Sequence, residues 1–307
     1  MNRVFFGDCR ESMRQMIADG VKVQCCVTSP PYFNLRDYGR NEQLGQEKTP
    51  EQYIANMVDV FHLVRDLLLD DGTLWLNLGD SYGAGKQQML IPHRVALALQ
   101  ADGWILRKDV VWNKPNPMPE SVTDRPSSAH EYIFLLAKSQ RYYYDHIAIR
   151  EPLKEVSIAR MSQDIESQCG STRAHGEAKT NGNMKVRQLD KQRGHSRKHA
   201  GFNARWDAMT VEEQRANGSN KRSVWTVATR PYSGAHFATY PPELIEPCIL
   251  AGSRAGDIVL DPFFGSGTTG EVALRFGRQY IGCELNPDYE PLQLERTRQL
   301  GLQLAVA

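Results

Sequence analysis

The stretch Thr28-Ser29-Pro30-Pro31-Tyr32-Phe33-Asn34-Leu35-Arg36-Asp37-Tyr38-Gly39 follows an apolar run from Val21 to Val27. That run has the length and composition of a buried strand. Two consecutive prolines end it, because neither has an N–H to give to a sheet ladder. They also stiffen the turn, so the carbonyls of Ser29 and Pro30 face fixed directions. Tyr32 and Phe33 set two aromatic faces beside this polar corner. Such a corner can accept hydrogen bonds from an amino group while a ring stacks on the plane that carries it, which is what chemistry on an extruded nucleobase requires. Taken alone, the same residues also read as a strand ending in a proline turn with its aromatics in the core.

Far down the chain lies a second stretch, Asp257-Ile-Val-Leu-Asp261-Pro-Phe-Phe-Gly265-Ser-Gly267-Thr-Thr-Gly270. It reads as a strand, an acid at the strand's end, a glycine loop and a helix start. The glycine spacing matches the dinucleotide fingerprint and shares its physics, a backbone that approaches a ligand at a helix N-terminus. A carboxylate at Asp261 would repel a pyrophosphate, whereas S-adenosylmethionine (SAM) carries a sulfonium and an α-ammonium that an acid favours. Glu284 ends the next strand, Gln279 to Cys283, where a carboxylate can grip ribose hydroxyls; NAD enzymes share that feature. No Gly-Lys-Ser/Thr follows, so a phosphate loop is excluded.

The two stretches, in this order, resemble the amino-methylating DNA methyltransferases that use SAM. Catalytic motif first and cofactor motif last is the arrangement of the circularly permuted group called beta. The resemblance covers most of the chain, with a gap in the middle. It implies a Rossmann-like α/β fold, a mostly parallel central sheet with helices on both faces, circularly permuted and carrying a basic target-recognition insertion. It assigns Ser29, Pro30, Pro31 and Tyr32 to catalysis, and Asp8, Asp261, Phe263, Gly265, Ser266, Gly267, Thr268 and Glu284 to SAM. Gly7-Asp8 looks like the motif that contacts the cofactor's adenine; Asp8 as N-cap of a helix from Glu11 to Ala18 stays open beside it.

In that chemistry the Ser29 side chain and the Pro30 carbonyl accept the two N–H bonds of an exocyclic amino group and pull its nitrogen toward tetrahedral. Tyr32 stacks on the flipped base, a contact worth about 1–3 kcal/mol per base in single-strand binders. Transfer is direct, without a covalent adduct or a metal; Asp37 is one candidate acceptor for the proton lost, with a salt bridge to Arg36 or a loop-capping role open beside it. Carbon-5 methylation of cytosine would need a Pro-Cys nucleophile, and the catalytic stretch holds none. Ser at the first motif position looks like the cytosine-N4 subgroup, where adenine-N6 enzymes usually carry Asp or Asn, a stronger charge-assisted acceptor. Cytosine N4 is therefore the expected target and adenine N6 the alternative. Methylation of RNA or protein, a catalytically idle DNA-binding protein, and a nicotinamide oxidoreductase are the readings from other classes.

At 307 residues the chain can hold one large α/β domain with an insertion, or two small domains. No apolar run approaches a membrane span, and the start lacks a signal peptide's apolar region. The six cysteines (Cys9, Cys25, Cys26, Cys169, Cys248, Cys283) show no paired metal spacing. A reduced cytoplasm, bacterial, archaeal or phage-borne, is expected. Composition shifts at Glu151: residues 151–223 carry 14 Lys or Arg against 9 Asp or Glu, while the rest carries 23 against 27. Apolar residues are too sparse there for a core, so a flexible surface insertion is one reading. The other is a segment that neutralises phosphates on duplex DNA, with Lys185, Arg187, Arg193, Arg197 and Lys198, together with Arg36 of the catalytic stretch, as contacts. The expected division is 1–150 for the catalytic half, 151–223 for target recognition and 224–307 for the SAM half. Duplex DNA is the implied partner; a homodimer and a cognate restriction endonuclease acting on the same site are candidate partners.

Between the motifs, Thr49-Pro50-Glu51-Gln52 is a helix start with a capping box, and Gly72 is a plausible stop. Strands are expected over Thr73–Leu78, Trp104–Trp112 and Glu131–Ala137, the last in a hairpin with Arg141–Asp145. Helices are expected over Pro92–Ala101, Glu243–Leu250 and after Asn286-Pro287. Lys114 to Pro119 cannot be helix or central strand and suits a lip over the active site.

Overall fold

A computed structural model describes residues 2–40, 42–153, 210, 218–229 and 240–298. Among these, β1 (Arg3–Phe6), β2 (Val23–Thr28), β3 (Leu68–Leu78), β4 (Ile105–Asn113), β5 (His130–Ala137), β6 (Val224–Thr226), β7 (Ile258–Asp261) and β8 (Gln279–Glu284) form one sheet in the order β1-β8-β7-β2-β3-β5-β4-β6. Only β5 runs against its neighbours. The strands that lead into the proline corner and the glycine loop are adjacent: β2 pairs with β7 in parallel, Cys25 opposite Val259 and Cys26 opposite Leu260. The two halves read from sequence therefore share one sheet. Met1–Ile149 and Arg222–Ala307 make one compact unit, and Arg150–Lys221 makes another.

Six helices join these strands among the described residues: α1 (Cys9–Ala18), α2 (Pro50–Leu67), α3 (Ile91–Ala101), α4 (Pro242–Gly252), α5 (Thr268–Arg275) and α6 (Glu290–Arg298). Side chains alternate across a strand, so successive residues enter different cores. Cys26, Leu74 and Leu76 pack with Met13 of α1, Met57 and Phe61 of α2 and Leu99 of α3. Cys25 and Trp75 pack with Ile249 of α4 and Val272 of α5. Full burial of each such side chain is worth about 1.5–3 kcal/mol. Thr49 caps α2 as expected, its Oγ1 accepting from Gln52 N at 3.3 Å, with Pro50 in the first turn. No helix among the described residues is long and apolar enough to cross a membrane.

Two expectations are corrected. Arg141–Asp145 is not a strand, because both edges of β5 are already taken, by β3 on one side and β4 on the other. Instead Tyr143 N donates to Asp71 O, Asp145 N donates to Ala251 O, and Tyr144 stacks on Trp75. Gly72 does not stop a helix either. α2 ends at Leu67, β3 starts at Leu68, and Gly72 sits where the β2–β3 register shifts. A Cβ there would come within 3.0 Å of the Gln24 carbonyl, so the shift needs a glycine. Past Asn286, a short 3-10 turn (Pro287–Tyr289) precedes α6.

In the second compact unit, Glu151 and Ser219 exchange backbone hydrogen bonds at 2.9 and 2.7 Å. Gly218 closes that bridge with φ +64, and its Cβ would meet the Glu151 carbonyl at 2.4 Å. Lys185, Arg187, Arg193, Arg197 and Lys198 lie outside the described residues.

Candidate active site

The corner at the end of β2 is held from three sides. Tyr53, fully buried on α2, donates its hydroxyl to the Pro31 carbonyl at 2.9 Å. Among the described residues the Pro30 carbonyl accepts no hydrogen bond. Ser29 Oγ donates to Tyr32 Oη at 3.3 Å and lies 3.3 Å from Asn77 Nδ2. Tyr32 Oη donates in turn to Glu131 Oε2 at 2.6 Å. Asn77, on β3, approaches Tyr32 Oη at 2.7 Å and Glu131 Oε2 at 3.0 Å. The Asn77 amide has two hydrogens for three acceptors, and the two shorter contacts take them. The Tyr32 ring lies against Gly79, where a Cβ would meet Cε2 at 2.6 Å. Burial first, and then the Glu131 carboxylate, push the Tyr32 hydroxyl well above its usual pKa, so it stays protonated.

At the end of β7 the three glycines of the second stretch do separate jobs. Gly265 and Gly267 have φ of +52 and +89, the left-handed region that glycine enters without strain. Gly270 makes room for packing, since its Cβ would meet Phe264 Cζ at 2.6 Å. Phe264 is stacked on Tyr280 with centroids 5.3 Å apart. The loop is clamped from outside: Gly265 N donates to Glu284 Oε2 at 2.7 Å, and Gln293 Nε2 donates to Gly265 O at 2.7 Å. Glu284 Oε1 accepts from Asn286 N at 2.8 Å. Burial raises the Glu284 carboxyl above its usual value.

Asp8 caps α1, accepting from Arg10 N at 2.7 Å, and also pairs with the Arg10 guanidinium. It lines a cavity as well, so capping does not exclude ligand contact. That cavity brings both motifs together: Ser29 and Pro31 face it alongside Asp8, Phe263, Gly265, Ser266, Thr268 and Glu284. Tyr38 and Arg40 also line it. Arg40 Nη2 reaches Asn286 Oδ1 at 2.6 Å and Asp288 Oδ2 at 2.8 Å, which ties the loop after the corner to the turn after β8.

Pro30, Tyr32, Asp261 and Gly267 are not on the cavity wall. Asp261 is 1% exposed and its oxygens are all engaged. Oδ1 accepts from Thr28 Oγ1 at 2.6 Å and Phe263 N at 3.0 Å; Oδ2 accepts from Thr269 Oγ1 at 2.5 Å and Tyr240 Oη at 3.1 Å. Burial raises its pKa in spite of these donors. The carboxylate thus organises the loop from beneath. Ser266 is the opposite case: 2% exposed, on the cavity wall, with an Oγ that has no hydrogen-bond partner among the described residues. Arg36 is half-buried and its carbonyl accepts from Gln43 and Gln46. Asp37 is exposed and accepts from Gly39 N at 2.7 Å, a loop-capping role. The chain's one Pro-Cys pair, Pro247-Cys248, lies inside α4, with Cys248 fully buried in the core and absent from the cavity wall.

Sequence reading passed over Asn77, Gln293 and Arg40, which act through partners distant in the chain. It gave no individual role to Lys114, at the head of the expected lip, to Glu131, in Ser128–Lys138, which resembles a late catalytic-domain motif of the family, or to Tyr240, in His236–Pro242, which resembles its remaining cofactor motif. Among the described residues no group of three or more His, Cys, Asp or Glu is arranged to hold a metal.

The sheet order, the glycine loop at the end of β7 and a proline corner opening on the same cavity define an α/β methyltransferase. The sequence profile of the N6/N4 DNA methylase family matches residues 23–295, and the chain belongs to that family. It is 40% identical over 321 residues to the type II methyltransferase M.XycI of Xanthomonas campestris pv. cyanopsidis, covering 95% of this chain and 86% of that one. It is 38% identical over 322 residues to M.SmaI of Serratia marcescens, covering 96% and 90%. Among solved structures, the cytosine-N4-specific PvuII DNA methyltransferase shares the fold at a TM-score of 0.62 and 17% identity, over 98% of this chain and 90% of that one. A putative DNA modification methylase from Thermus thermophilus, complexed with SAM, does so at 0.58 and 24%, over 98% and 96%.

Proposed function

We propose that this protein transfers a methyl group from SAM to the exocyclic amino group of a base flipped out of duplex DNA, and that the base is cytosine, methylated at N4. The observation that carries this reading is the shared cavity: Ser29 at the head of the corner faces the same space as the glycine loop, Asp8 and Glu284. The donor set suits SAM. A buried Ser266 hydroxyl without a partner among the described residues, the half-buried Phe263 side chain and two carboxylates, Asp8 and Glu284, meet there. When bound, SAM supplies an electrophilic methyl carbon on a sulfonium, which removes the need for a metal. Asp261 and Gly267 hold the loop in shape from behind, and Thr268 opens α5.

The protein's own residues prepare the nucleophile. Ser29 Oγ and the Pro30 carbonyl accept the two amino N–H bonds and turn the nitrogen's lone pair toward the methyl. Pro31 keeps the turn rigid through Tyr53, and Tyr32 offers its ring to the base. Serine rather than a carboxylate at position 29 favours cytosine N4. Arg36 and the basic residues 185, 187, 193, 197 and 198 neutralise DNA phosphates, which predicts salt-sensitive binding. The names of the curated relatives support a restriction–modification role with a cognate endonuclease.

The test is incubation with SAM and mixed-sequence duplex DNA, digestion to nucleosides and mass spectrometry. N4-methylcytosine is the expected product. N6-methyladenine would overturn the base assignment alone, and methyl groups on RNA or protein but not DNA would overturn the substrate. Ser29→Ala should bind SAM and lose most turnover; full activity would remove Ser29 from the chemistry.

A further inference from the structure

β5 is antiparallel, so its beginning, not its end, reaches the sheet edge that holds the corner: Tyr132 pairs with Leu78, and His130 with Asn113. That places Glu131 behind Tyr32. Glu131 is 15% exposed and forms an ion pair with Lys114, itself 18% exposed, through Oε1. Lys114 Nζ also sits 4.4 Å from the centroid of the Trp112 ring. A largely buried ion pair costs desolvation that a structural contact does not always return. This one leaves Oε2 to Tyr32 and Asn77. The hydroxyl hydrogens therefore run one way, from Ser29 to Tyr32 to Glu131. The first link, 3.3 Å, is long in the manner of unliganded sites.

We propose that Glu131 is a positioning residue that works through Tyr32 and Ser29: it aims a lone pair of Ser29 at the target amino group and takes up the proton released by methyl transfer. The proposal rests on the amino-methylation reading above. As the amino lone pair forms the N–C bond, the bond from the methyl carbon to sulfur breaks and sulfur keeps that electron pair, leaving a neutral thioether and a cationic amine. The amine's proton passes to Ser29 Oγ, the Ser29 proton to Tyr32 Oη and the Tyr32 proton to Glu131 Oε2. Ser29 and Tyr32 are restored as hydroxyls, the methylamino group is neutral and Glu131 holds the proton until solvent removes it. The hydroxyl of Tyr32 relays without ionising, and Lys114 keeps Oε1 occupied so that Oε2 faces inward.

The test is single-turnover methyl transfer from labelled SAM to duplex DNA by the full chain, in H2O and in D2O, for wild type, Glu131→Gln, Tyr32→Phe and the double variant. Tyr32→Phe keeps the stacking ring and leaves the Glu131–Lys114 pair intact, so it reports on the relay even if Glu131→Gln folds poorly. Each single variant should keep SAM affinity within about twofold and lose about 100-fold in rate, the usual scale of acid–base assistance. The double variant should lose no more than either single, because the groups act in series. The solvent deuterium isotope effect of the wild-type rate should be lost in both singles, because the proton no longer moves along the chain of hydroxyls. A wild-type rate in Glu131→Gln, an isotope effect unchanged in both singles, or losses that multiply in the double variant would overturn the relay alone. A wild-type chain that methylates no DNA removes the parent reading and the relay with it.

Discussion

The hydroxyl of Thr28 donates a 2.6 Å hydrogen bond to Oδ1 of Asp261, across 233 residues of chain. Thr28 is the last residue of β2 before the proline corner, and Asp261 the last of β7 before the glycine loop. One buried contact therefore fixes the distance between the two motifs. Thr28→Val keeps the shape and deletes the donor. Removing one partner from a buried bond costs about 1–3 kcal/mol, so the denaturation midpoint should fall accordingly, and SAM affinity should fall with it. An unchanged midpoint in a urea titration would show that Asp261 does not depend on this donor.

Ser266 makes the opposite prediction for stability. Its buried Oγ has no partner among the described residues, so Ser266→Ala removes an unsatisfied polar group. The protein without SAM should be as stable as wild type or more so, by about 1 kcal/mol, while SAM affinity drops about tenfold, the equivalent of one hydrogen bond. Calorimetric titration beside thermal denaturation separates the two effects. Unaltered SAM affinity would mean that the hydroxyl does not touch the ligand.

Gly79 is permissive for Tyr32. The added methyl of Gly79→Ala would stand 2.6 Å from Cε2 of the ring, a contact that must be relieved by moving Tyr32. The expected result is at least a tenfold fall in turnover with SAM affinity preserved, since displacement of a reacting group costs rate more than binding. A crystal structure of the variant with Tyr32 in place and full activity would exclude any need for this ring position.

Asp8 sets a pH dependence. Burial works against its charge, but the Arg10 guanidinium and backbone N–H outweigh it and hold the carboxyl below its usual 3.8. The folded state then binds fewer protons than the unfolded chain across that window. The stabilisation is complete above 3.8 and is lost as pH falls through the folded-state value. Asp8→Asn should melt earlier than wild type near neutrality, and the two melting curves should converge in acid. A gap that stays constant with pH would assign the effect to lost capping alone.

The sequence by itself carried the two motifs, their permuted order and the elements that bear them. These follow from contiguous residues: prolines that end β2, glycines with positive φ, Thr49 capping α2 and apolar periodicity along it. The adjacency of the motifs was implied only by family resemblance. Tertiary structure decided what lies between them. Thr28 meets Asp261 because β2 and β7 pair, and Asp261 thereby became a buried organiser instead of an open acid on the cavity wall. Gly72 became a register-shift residue because Gln24 and Leu68 crowd it. Arg141–Asp145 lost its strand because β3 and β4 had filled both edges of β5, which no local propensity can report. The stretch Ser128–Lys138 resembles a late catalytic-domain motif, but the contact of its Glu131 with Tyr32 was hidden for a related reason. An acid near the start of a strand reaches the site only when that strand runs antiparallel, and direction is a property of the whole sheet. Local rules act over a turn of chain, whereas hydrogen bonds between strands depend on which partners the fold brings together.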